Sequence, residues 1–375
     1  MMTSRIKIFA TADIHGNYFP KTLSPAEVSL ARVDAYLHAE ILKHGDDSSP
    51  RPHLILDAGD FLSGGPAAYF CNYVEPDCFS QPAFIANWIG YDAITAGNHD
   101  LELPPDVLER FVKDSGIPLL GANMPECIPY RIFKRGDINI LVVGLCMPPF
   151  SRRLDDPVEF LRSAVASARR TAEIHLVIGL FHLGPDECVR IAEQVDELQI
   201  IFCGHDHKDV GVKIARRMVP VINPGPGGKN VAKVVVEFTG RQLTSIHAEL
   251  VDMNTAPAPI QTPLLPGQID EWQHEEFGVY GPTMRLSHLV RLCMLRAVPE
   301  ADYAVCDDTD RLLDGPQTIR DTFDYLPYDD YVAAVRDGEG RIVAVTPHIA
   351  AEKFPDSPIL RLSRYPLRHY VIGEA

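Results

Sequence analysis

The sequence of 375 residues lacks several features that would place it in a common class of protein. It has no uninterrupted apolar run approaching about 18 residues, the length that a membrane-spanning helix needs. Its Lys and Arg residues form no cluster, and the net charge is −16. Because stable binding of nucleic acid rests largely on neutralising backbone phosphates, this charge argues against nucleic acid as a standing partner. We therefore expect neither a membrane protein nor a nucleic-acid-binding protein.

Paired cysteine motifs are also missing, and no secretion signal is predicted. None of the eight cysteines forms a Cys-x-x-Cys pair, so neither a zinc knuckle nor a thioredoxin-like site is predicted. Cys71 and Cys78 are close enough in sequence for a bridge, but reduced thiols are typical of a cytosolic chain. The first motif, at Asp13, leaves no room upstream for the charged, apolar and cleavage regions of a signal peptide. We predict a cytoplasmic location.

The length and the apolar pattern predict two domains. A single hydrophobic core stops growing well below this length. In the first 250 residues, short apolar runs such as residues 6–10, 54–56 and 176–181 alternate with segments of helical spacing such as residues 158–172. Strands that alternate with helices indicate an α/β layered domain.

A proline-rich segment, residues 254–267, separates the two predicted domains. Its four prolines cannot continue a helix or a central strand, so we interpret the segment as a linker. The first domain is then residues 1–253. The second is residues 268–375, and it has a helical pattern near residues 286–297.

Five short motifs in the first domain each place polar side chains directly after an apolar run. In α/β sheets, ligands bind beyond the carboxyl ends of the strands, so we expect these side chains to converge at one edge. Glycines precede three of them and permit tight turns there. The seven candidate metal ligands are Asp13, His15, Asp60, Asn98, His182, His205 and His207.

The chemistry of this set indicates two divalent metal ions. Carboxylate, imidazole and amide ligands without a thiolate suit Mn, Fe, Zn or Co. Two ions about 3.5–4 Å apart need one bridging ligand, and we predict Asp60 as that ligand because it is the only lone carboxylate among the motifs. A water acidified by both ions becomes hydroxide near neutral pH and can attack phosphorus in line. The motifs therefore predict hydrolysis of a phosphate ester.

One histidine of the motifs is not needed as a ligand. His99 follows Asn98 and can face the substrate as an imidazolium. There it would stabilise the transferring phosphoryl group or protonate the leaving oxygen. Such a histidine needs a carboxylate to orient it, and Asp100 and Glu102 are both candidates.

These motifs resemble the calcineurin-like metallophosphoesterase superfamily and, within it, the 5′-nucleotidase family. The resemblance rests on residues 13–17, 90–99, 181–184 and 224–233, and it extends from residue 5 to about residue 250. It implies a four-layer α/β/β/α sandwich with a smaller α/β C-terminal domain. It assigns one metal to Asp13, His15, Asp60 and His207, and the other to Asp60, Asn98, His182 and His205.

The same resemblance implies roles for residues outside the ligand set. It makes His99 the catalytic histidine and pairs it with a carboxylate three residues later, where this chain has Glu102 in place of the family's aspartate. The family binds its nucleoside in the C-terminal domain, through a glycine-rich loop with an arginine and through two aromatic rings. Arg311 matches that arginine and Tyr328 matches the first ring, but the loop has lost its glycines. We expect a shortened and divergent substrate domain.

The sequence leads to three functional hypotheses. The first is a phosphomonoesterase that releases phosphate from a 5′-nucleotide or a nucleotide-like small molecule. The alternative is a phosphodiesterase for cyclic nucleotides or other small diesters, which would use the same metal site. A non-catalytic metal-bound protein that binds a ligand is disfavoured, because all seven candidate ligands and His99 are present.

Overall fold

The structure, a computed structural model, divides into two units. The first unit comprises Met1–Ser63 and Phe70–Leu264, and the second comprises Gly64–Tyr69 and Leu265–Ala375. No helix among the described residues has the length and apolar character needed to cross a lipid bilayer. The residues described are 3–20, 28–42, 52–149, 156–256, 265–307, 311–326 and 329–373.

Strands and helices alternate along most of the first unit. Its strands are β1 (Thr3–Thr11), β2 (His53–Asp57), β3 (Ala93–Thr95), β4 (Leu119–Leu120), β5 (Tyr130–Arg135), β6 (Ile138–Cys146), β7 (Leu176–His182), β8 (Ile200–Cys203), β9 (Gly211–Ile214), β10 (Pro220–Asn223), β11 (Asn230–Thr239) and β12 (Gln242–Asp252). The helices of the whole described chain are α1 (Leu30–Leu42), α2 (Pro66–Tyr69), α3 (Gln81–Ile89), α4 (Asn98–Leu101), α5 (Pro105–Ser115), α6 (Pro157–Thr171), α7 (Pro185–Gln194), α8 (Gly267–Gln273), α9 (Leu286–Ala297), α10 (Ile319–Tyr325), α11 (Pro347–Lys353) and α12 (Leu367–Ile372).

Two six-stranded sheets form the centre of the first unit. Their strand orders are β12-β11-β1-β2-β3-β4 and β5-β6-β7-β8-β10-β9. Strands β1 to β4 pair in parallel, and so do β6, β7, β8 and β10. Antiparallel pairing is confined to the flanks, where β11, β12, β5 and β9 lie. The parallel centre of each sheet directs several strand ends to the same edge.

The inner faces of the two sheets share one apolar core. Because side chains alternate along a strand, Ile6 and Ile8 of β1 point to the same face, where both are buried. They belong to one cluster with residues of the second sheet such as Val142 and Ile178. Burial of a side chain of this size contributes about 1.5–3 kcal/mol, so this core is a main source of stability.

Helices cover the outer face of each sheet. Phe9, on the opposite face of β1 from Ile8, contacts Tyr36 of α1 with ring centroids 6.2 Å apart. On the second sheet, residues of α6 and α7 such as Leu161 and Ile191 pack in one buried cluster with β7. The order of layers is helix, sheet, sheet, helix, which confirms the predicted α/β/β/α sandwich.

The second unit is a smaller α/β structure. Its strands are β13 (Glu276–Arg285), β14 (Tyr303–Val305), β15 (Leu312–Thr318), β16 (Tyr331–Arg336), β17 (Ile342–Val345) and β18 (Arg361–Pro366). β13 pairs with β15, and a four-stranded sheet has the order β14-β17-β16-β18. Apolar residues of α9, including Val290 and Met294, pack against β16 and β17 in its core.

A buried cluster of polar and aromatic side chains connects Gly64–Tyr69 to the rest of the second unit. Tyr69 stacks on Trp272 of α8 with ring centroids 6.1 Å apart. The guanidinium of the buried Arg368 forms an ion pair with Asp329 and lies 3.8 Å from the ring centroid of Phe323. These contacts explain why six residues that follow the Asp60 loop in sequence group with the C-terminal unit, a feature that the sequence did not predict.

The division of the chain after Leu264 falls inside the predicted linker, residues 254–267. Residues 257–264 of that linker lie outside the described residues. On its two sides, a short helical turn covers Met253–Thr255 and α8 begins at Gly267. Helix α9 begins and ends at the residues where the sequence shows helical spacing, Leu286–Ala297.

Candidate metal centre

The candidate ligands follow strands whose carboxyl ends lie at the same edge. Asp13 lies two residues after the end of β1, Asp60 lies three residues after the end of β2, and Asn98 lies three residues after the end of β3. His182 is the last residue of β7, and His205 lies two residues after β8. Since β1, β2 and β3 are parallel neighbours, and so are β7 and β8, each sheet presents its ligands together.

Four of these residues have positive φ angles, a conformation that L side chains rarely adopt. The φ angle is 53° at Asp13, 47° at His15, 56° at Asp60 and 71° at His205. Such a residue costs on the order of 1–3 kcal/mol and persists only where its surroundings hold it. Here the N–H of Asp13 donates to the carbonyl of Gly59 at 2.8 Å, and the N–H of His15 donates to that of Asp60 at 2.9 Å. The strained loops therefore support one another.

The carboxylate of Asp60 lies between the two groups of ligands. Its Oδ2 atom is 3.1 Å from Nε2 of His182 and 3.7 Å from Nε2 of His15. Its Oδ1 atom accepts a hydrogen bond of 3.0 Å from the backbone N–H of His99. One oxygen thus faces two histidines that the family resemblance assigns to different metals. This is the position that a bridging ligand needs.

Asp13, His15 and His207 form the first group of ligands. Their ligand atoms all lie within 4.8 Å of one another. The Nε2 atoms of His15 and His207 are 3.2 Å apart, and Nε2 of His207 is 3.4 Å from Oδ1 of Asp13. The backbone N–H of His205 donates to the same Oδ1 atom at 2.9 Å and holds the carboxylate in place.

Asn98, His182 and His205 form the second group. Oδ1 of Asn98 lies 3.2 Å from Nε2 of His182 and 3.0 Å from Nδ1 of His205. On its other side, the ring of His182 places Nδ1 2.8 Å from the carbonyl oxygen of Ala58. Because a carbonyl only accepts, Nδ1 donates this hydrogen bond and Nε2 is the nitrogen that faces Asp60. Such an outer hydrogen bond is what orients a metal-ligating histidine.

The charge states of His15, His205 and Asp60 suit a bound cation, whereas His182 would first have to lose a proton. Burial alone would lower the pKa of His182, but the adjacent Asp60 carboxylate raises it to about 9. Burial lowers the pKa of both His15 and His205 to about 4, so their rings are neutral at pH 7. Burial would raise the pKa of Asp60, but His182 and His99 lower it below its usual range. Without metal, a proton on His182 therefore balances Asp60, and a bound cation would displace it.

Two divalent cations fit this donor set. Two buried carboxylates, an amide oxygen and four imidazole rings converge at this edge of the sheets. Oxygen and imidazole donors of this kind suit Mn, Fe, Zn and Co. The structure brings all seven predicted ligands together.

His99 borders the ligand groups and has a carboxylate beside it. Its ring makes an edge contact with the ring of His15, with centroids 5.6 Å apart. Its Nδ1 atom lies 3.3 Å from Oε2 of Glu102, and the side chains of both residues are partly exposed. Residues three apart on a helical turn lie on the same face, and this spacing brings the two side chains together.

Asp100, the other predicted partner of His99, is engaged elsewhere. Its buried carboxylate accepts hydrogen bonds from the backbone N–H groups of Leu62 at 2.7 Å, Gly97 at 3.0 Å and Phe61 at 3.2 Å. Burial and then the charge of Asp60 raise the pKa of this carboxyl to about 6. The geometry favours Glu102 as the partner of His99, and it gives Asp100 the task of joining two ligand-bearing loops.

The two predicted substrate residues belong to the second unit. The guanidinium of Arg311 lies 4.9 Å from the ring centroid of Tyr325, at cation–π distance. The backbone carbonyl of Arg311 accepts a hydrogen bond from the N–H of Leu286 at 3.0 Å. Tyr328 lies outside the described residues. Both assignments remain predictions.

A buried network beneath the Asp60 loop was missed from the sequence. The hydroxyl of Thr11 lies 2.6 Å from Oδ2 of Asp57 and 2.6 Å from the hydroxyl of Tyr91. Oδ1 of Asp57 accepts the N–H of Gly59 at 3.0 Å. This network holds the end of β2. The next two residues, Ala58 and Gly59, accept hydrogen bonds through their carbonyl groups from His182 and Asp13 respectively. The sequence does offer one signal of this network, because the acidic Asp57 stands at the end of an apolar run.

Comparison with known proteins identifies the same part of the chain. The family model for calcineurin-like phosphoesterases matches residues 6–209. A 5′-nucleotidase of Vibrio vulnificus is 24% identical over 300 residues, which are 67% of this chain and 52% of that protein. This chain thus spans about half the length of the curated relatives it matches.

Two solved structures share the fold over almost the whole chain. A putative 5′-nucleotidase from Staphylococcus aureus, in complex with α-ketoglutarate, has a TM-score of 0.75 at 15% identity and covers 99% of this chain and 96% of its own. A 5′-nucleotidase precursor from Thermus thermophilus has a TM-score of 0.65 at 17% identity and covers 98% and 95%. At these identities the match shows a common fold, including a smaller second domain.

Proposed function

The chain belongs to the calcineurin-like phosphoesterase family, and on that premise we propose that it is a metal-dependent phosphomonoesterase. Its substrate would be a 5′-nucleotide or a nucleotide-like small molecule, and its product would be inorganic phosphate. The observation that carries the proposal is the convergence of seven ligand side chains, six of them around Asp60, with His99 at their border.

The residues divide into two ligand sets and one acid. Asp13, His15, Asp60 and His207 would hold one ion, and Asp60, Asn98, His182 and His205 would hold the other. Two bound divalent ions supply Lewis-acid stabilisation of the phosphoryl oxygens and activate a water. The chain's own task is positioning, which is most of what phosphoryl transfer requires.

His99 would deliver the proton that the leaving group needs. It is partly exposed beside the ligands, and its Nδ1 atom faces Glu102. A carboxylate on Nδ1 fixes the ring and leaves Nε2 to face the substrate. Protonation of the ester oxygen as the P–O bond breaks would let a poor alkoxide leave as an alcohol.

The nucleotide substrate class draws its support from relatives. The curated proteins that match most of this chain are named 5′-nucleotidases. The fold shared with the Staphylococcus aureus structure covers 99% of this chain and so includes the second unit, where the family resemblance places nucleoside binding. Arg311 and Tyr328 are the residues proposed to contact the substrate there.

The test is hydrolysis by the purified chain after its metals have been removed and replaced. The protein is treated with EDTA, desalted and reloaded with Mn²⁺, Zn²⁺, Co²⁺ or Fe²⁺. Phosphate release is then measured on a panel of 5′-nucleotides, nucleotide-like phosphates and p-nitrophenyl phosphate. We expect EDTA to abolish release and one or more metals to restore it. The variant Asp60→Asn should bind less metal and remain inactive after reloading.

The same assay separates the alternatives. Preferential cleavage of bis-p-nitrophenyl phosphate or cyclic nucleotides would favour a phosphodiesterase. Activity on p-nitrophenyl phosphate without activity on any nucleotide would contradict the substrate class and leave the reaction class standing. A chain that holds two metals by elemental analysis, yet hydrolyses none of these esters, would contradict the proposed function.

A further inference from the structure

Two cysteine side chains of the first unit, neither of them a candidate metal ligand, lie close to each other. The Sγ atoms of Cys71 and Cys78 are 2.9 Å apart. Cys71 lies in the helical turn Phe70–Val74, and Cys78 lies in the loop before α3. Both are free thiols. An S–S bond is about 2.05 Å long, so bond formation needs an approach of only about 0.9 Å.

We propose that Cys71 and Cys78 form a redox-active dithiol, which a low-molecular-weight disulfide of the glutathione class converts into an intramolecular disulfide. Hydrogen bonds hold the turn that carries Cys71. Arg110 of α5 donates to the carbonyl of Cys71 at 2.7 Å, and the side chain of Asn72 donates to the carbonyl of Leu62 at 2.9 Å. Within the loop that joins the two cysteines, the N–H of Cys78 donates to the carbonyl of Glu75 at 3.0 Å.

The two cysteines differ in a way that assigns their roles. Cys78 is half-buried, whereas Cys71 is buried, so an external disulfide reaches Cys78 first. The hydrogen bond between the two thiols lowers the pKa of Cys71 and raises the pKa of Cys78. Thiolate character alone would favour Cys71 as the attacking residue, but its burial keeps an external disulfide away from it. Accessibility therefore makes Cys78 the attacking residue, and Cys71, whose sulfur lies beside it, resolves the mixed disulfide.

The reaction is two successive thiol–disulfide exchanges. The Cys78 thiol loses its proton, and its sulfur attacks one sulfur of the added disulfide, which releases one small thiolate. The Cys71 thiol then loses its proton and attacks Sγ of Cys78, which releases the second thiolate. The two released thiolates take up the two protons. The protein pair is oxidised by two electrons, and one small disulfide is reduced to two thiols.

The location of the pair gives the modification a structural consequence. Asn72 follows Cys71, and its side-chain donor connects this turn to Leu62, two residues after the predicted bridging ligand Asp60. Closure of the disulfide would covalently join residues 71 and 78 beside that loop. The inference rests on the cysteine geometry and does not depend on the proposed phosphatase activity. In the reducing cytoplasm predicted from the sequence, the pair would rest as two thiols.

Peptide mapping of the full-length chain tests the proposal directly. The reduced and desalted protein is incubated with oxidised glutathione and then denatured in the presence of an alkylating reagent, which caps the remaining free thiols. It is then cleaved on the N-terminal side of its aspartate residues, with no reducing agent added. Cleavage before Asp60, Asp77 and Asp92 yields residues 60–76 and 77–91, each with a single cysteine. We expect the two peptides to be recovered as one linked species, two hydrogen atoms lighter than their sum. Dithiothreitol should separate them.

A thiol count on the denatured protein provides a second measurement. The chain has eight cysteines, so the count should fall by two after oxidation. Cys78→Ser should remove this loss, whereas Cys293→Ser, a buried cysteine of the second unit, should retain the linked peptides. Recovery of both peptides in alkylated form would overturn the proposal. So would a glutathione adduct on Cys78 that persists without closure, and both outcomes can be read on the wild-type chain even if a variant fails to fold.

Discussion

Oε2 of Glu102 lies 3.3 Å from Nδ1 of His99, and this contact identifies a carboxylate–histidine pair at the border of the metal ligands. Replacing Glu102 with Gln retains the side chain's size and removes its charge. A hydrogen bond to a charged group is worth about 1.5–3 kcal/mol, so we expect kcat to fall by roughly 10- to 100-fold. Metal content and KM should change little. A pH–rate profile identical to that of the wild type would contradict the pairing.

His99 should be needed for turnover and not for metal binding. His99→Ala removes the proposed acid, and loss of general acid catalysis costs about 10²–10⁴-fold in rate. We expect that loss in kcat, with two metals per chain retained by elemental analysis. His182→Ala is the matched comparison, because the buried His182 ring lies 3.1 Å from Asp60 as a proposed ligand. This variant should lose its activity together with its bound metal. A His99→Ala protein depleted of metal would mean that His99 is a ligand.

Asp100 should affect stability more than catalysis. Its carboxylate accepts three backbone N–H groups from two loops. In Asp100→Asn one acceptor oxygen is replaced by an NH₂ group, which leaves at least one buried N–H unsatisfied and costs about 1–3 kcal/mol. Urea unfolding should show a lower midpoint than for Glu102→Gln. Unchanged stability combined with the kinetic defect of Glu102→Gln would instead return Asp100 to the role of partner of His99.

Gly97 should tolerate no side chain, because it packs directly against the predicted bridging ligand. A Cβ atom at Gly97 would lie 2.0 Å from Oδ1 of Asp60 and 2.4 Å from its backbone nitrogen. We expect Gly97→Ala to lose most metal binding and activity. Gly338→Ala is a matched control, since a Cβ atom there would meet nothing within 4 Å. Equal metal content in the two variants, measured after dialysis, would show that the Asp60 loop can move aside.

The buried Asp57 should make stability depend on pH. Burial raises the pKa of its carboxyl from 3.8 to about 8. Between these values the folded chain keeps a proton that the unfolded chain releases, so the free energy of unfolding falls as pH rises from about 4 to 8. The slope for one group is at most about 1.4 kcal/mol per pH unit. Below pH 3.8 both states are protonated and this contribution does not vary.

Asp57→Asn isolates this contribution because Asn has no proton to release in that range. Urea unfolding of both proteins in EDTA, at several pH values between 5 and 8, should give curves of free energy against pH that differ in slope. The wild type should lose stability relative to the variant as pH rises. Parallel curves would mean that Asp57 is ionised throughout and that its hydrogen bonds from Thr11 and Gly59 offset its burial.

Much of the fold and of the ligand set followed from local sequence patterns. Apolar runs of strand length predict β1, β2, β6 and β7, because burial on both faces of a parallel strand requires them. Each ligand follows such a run within a few residues, and parallel strand ends lie together at one edge. The identities of Asp13, His15, Asp60, Asn98, His182, His205 and His207 could therefore be proposed without coordinates, and so could their chemistry.

Tertiary structure decided the features that depend on contacts distant in sequence. Asp100 and Glu102 are equivalent carboxylates in the sequence, but loop contacts 38 and 39 residues away engage Asp100 and leave Glu102 beside His99. The same holds for the grouping of Gly64–Tyr69 with the second unit. Cys71 and Cys78 are only seven residues apart, and the structure added the 2.9 Å distance between their sulfur atoms. Hydrophobic pattern encodes which segments are buried. It does not encode the direction of a polar side chain, which depends on the donors that folding brings within its reach.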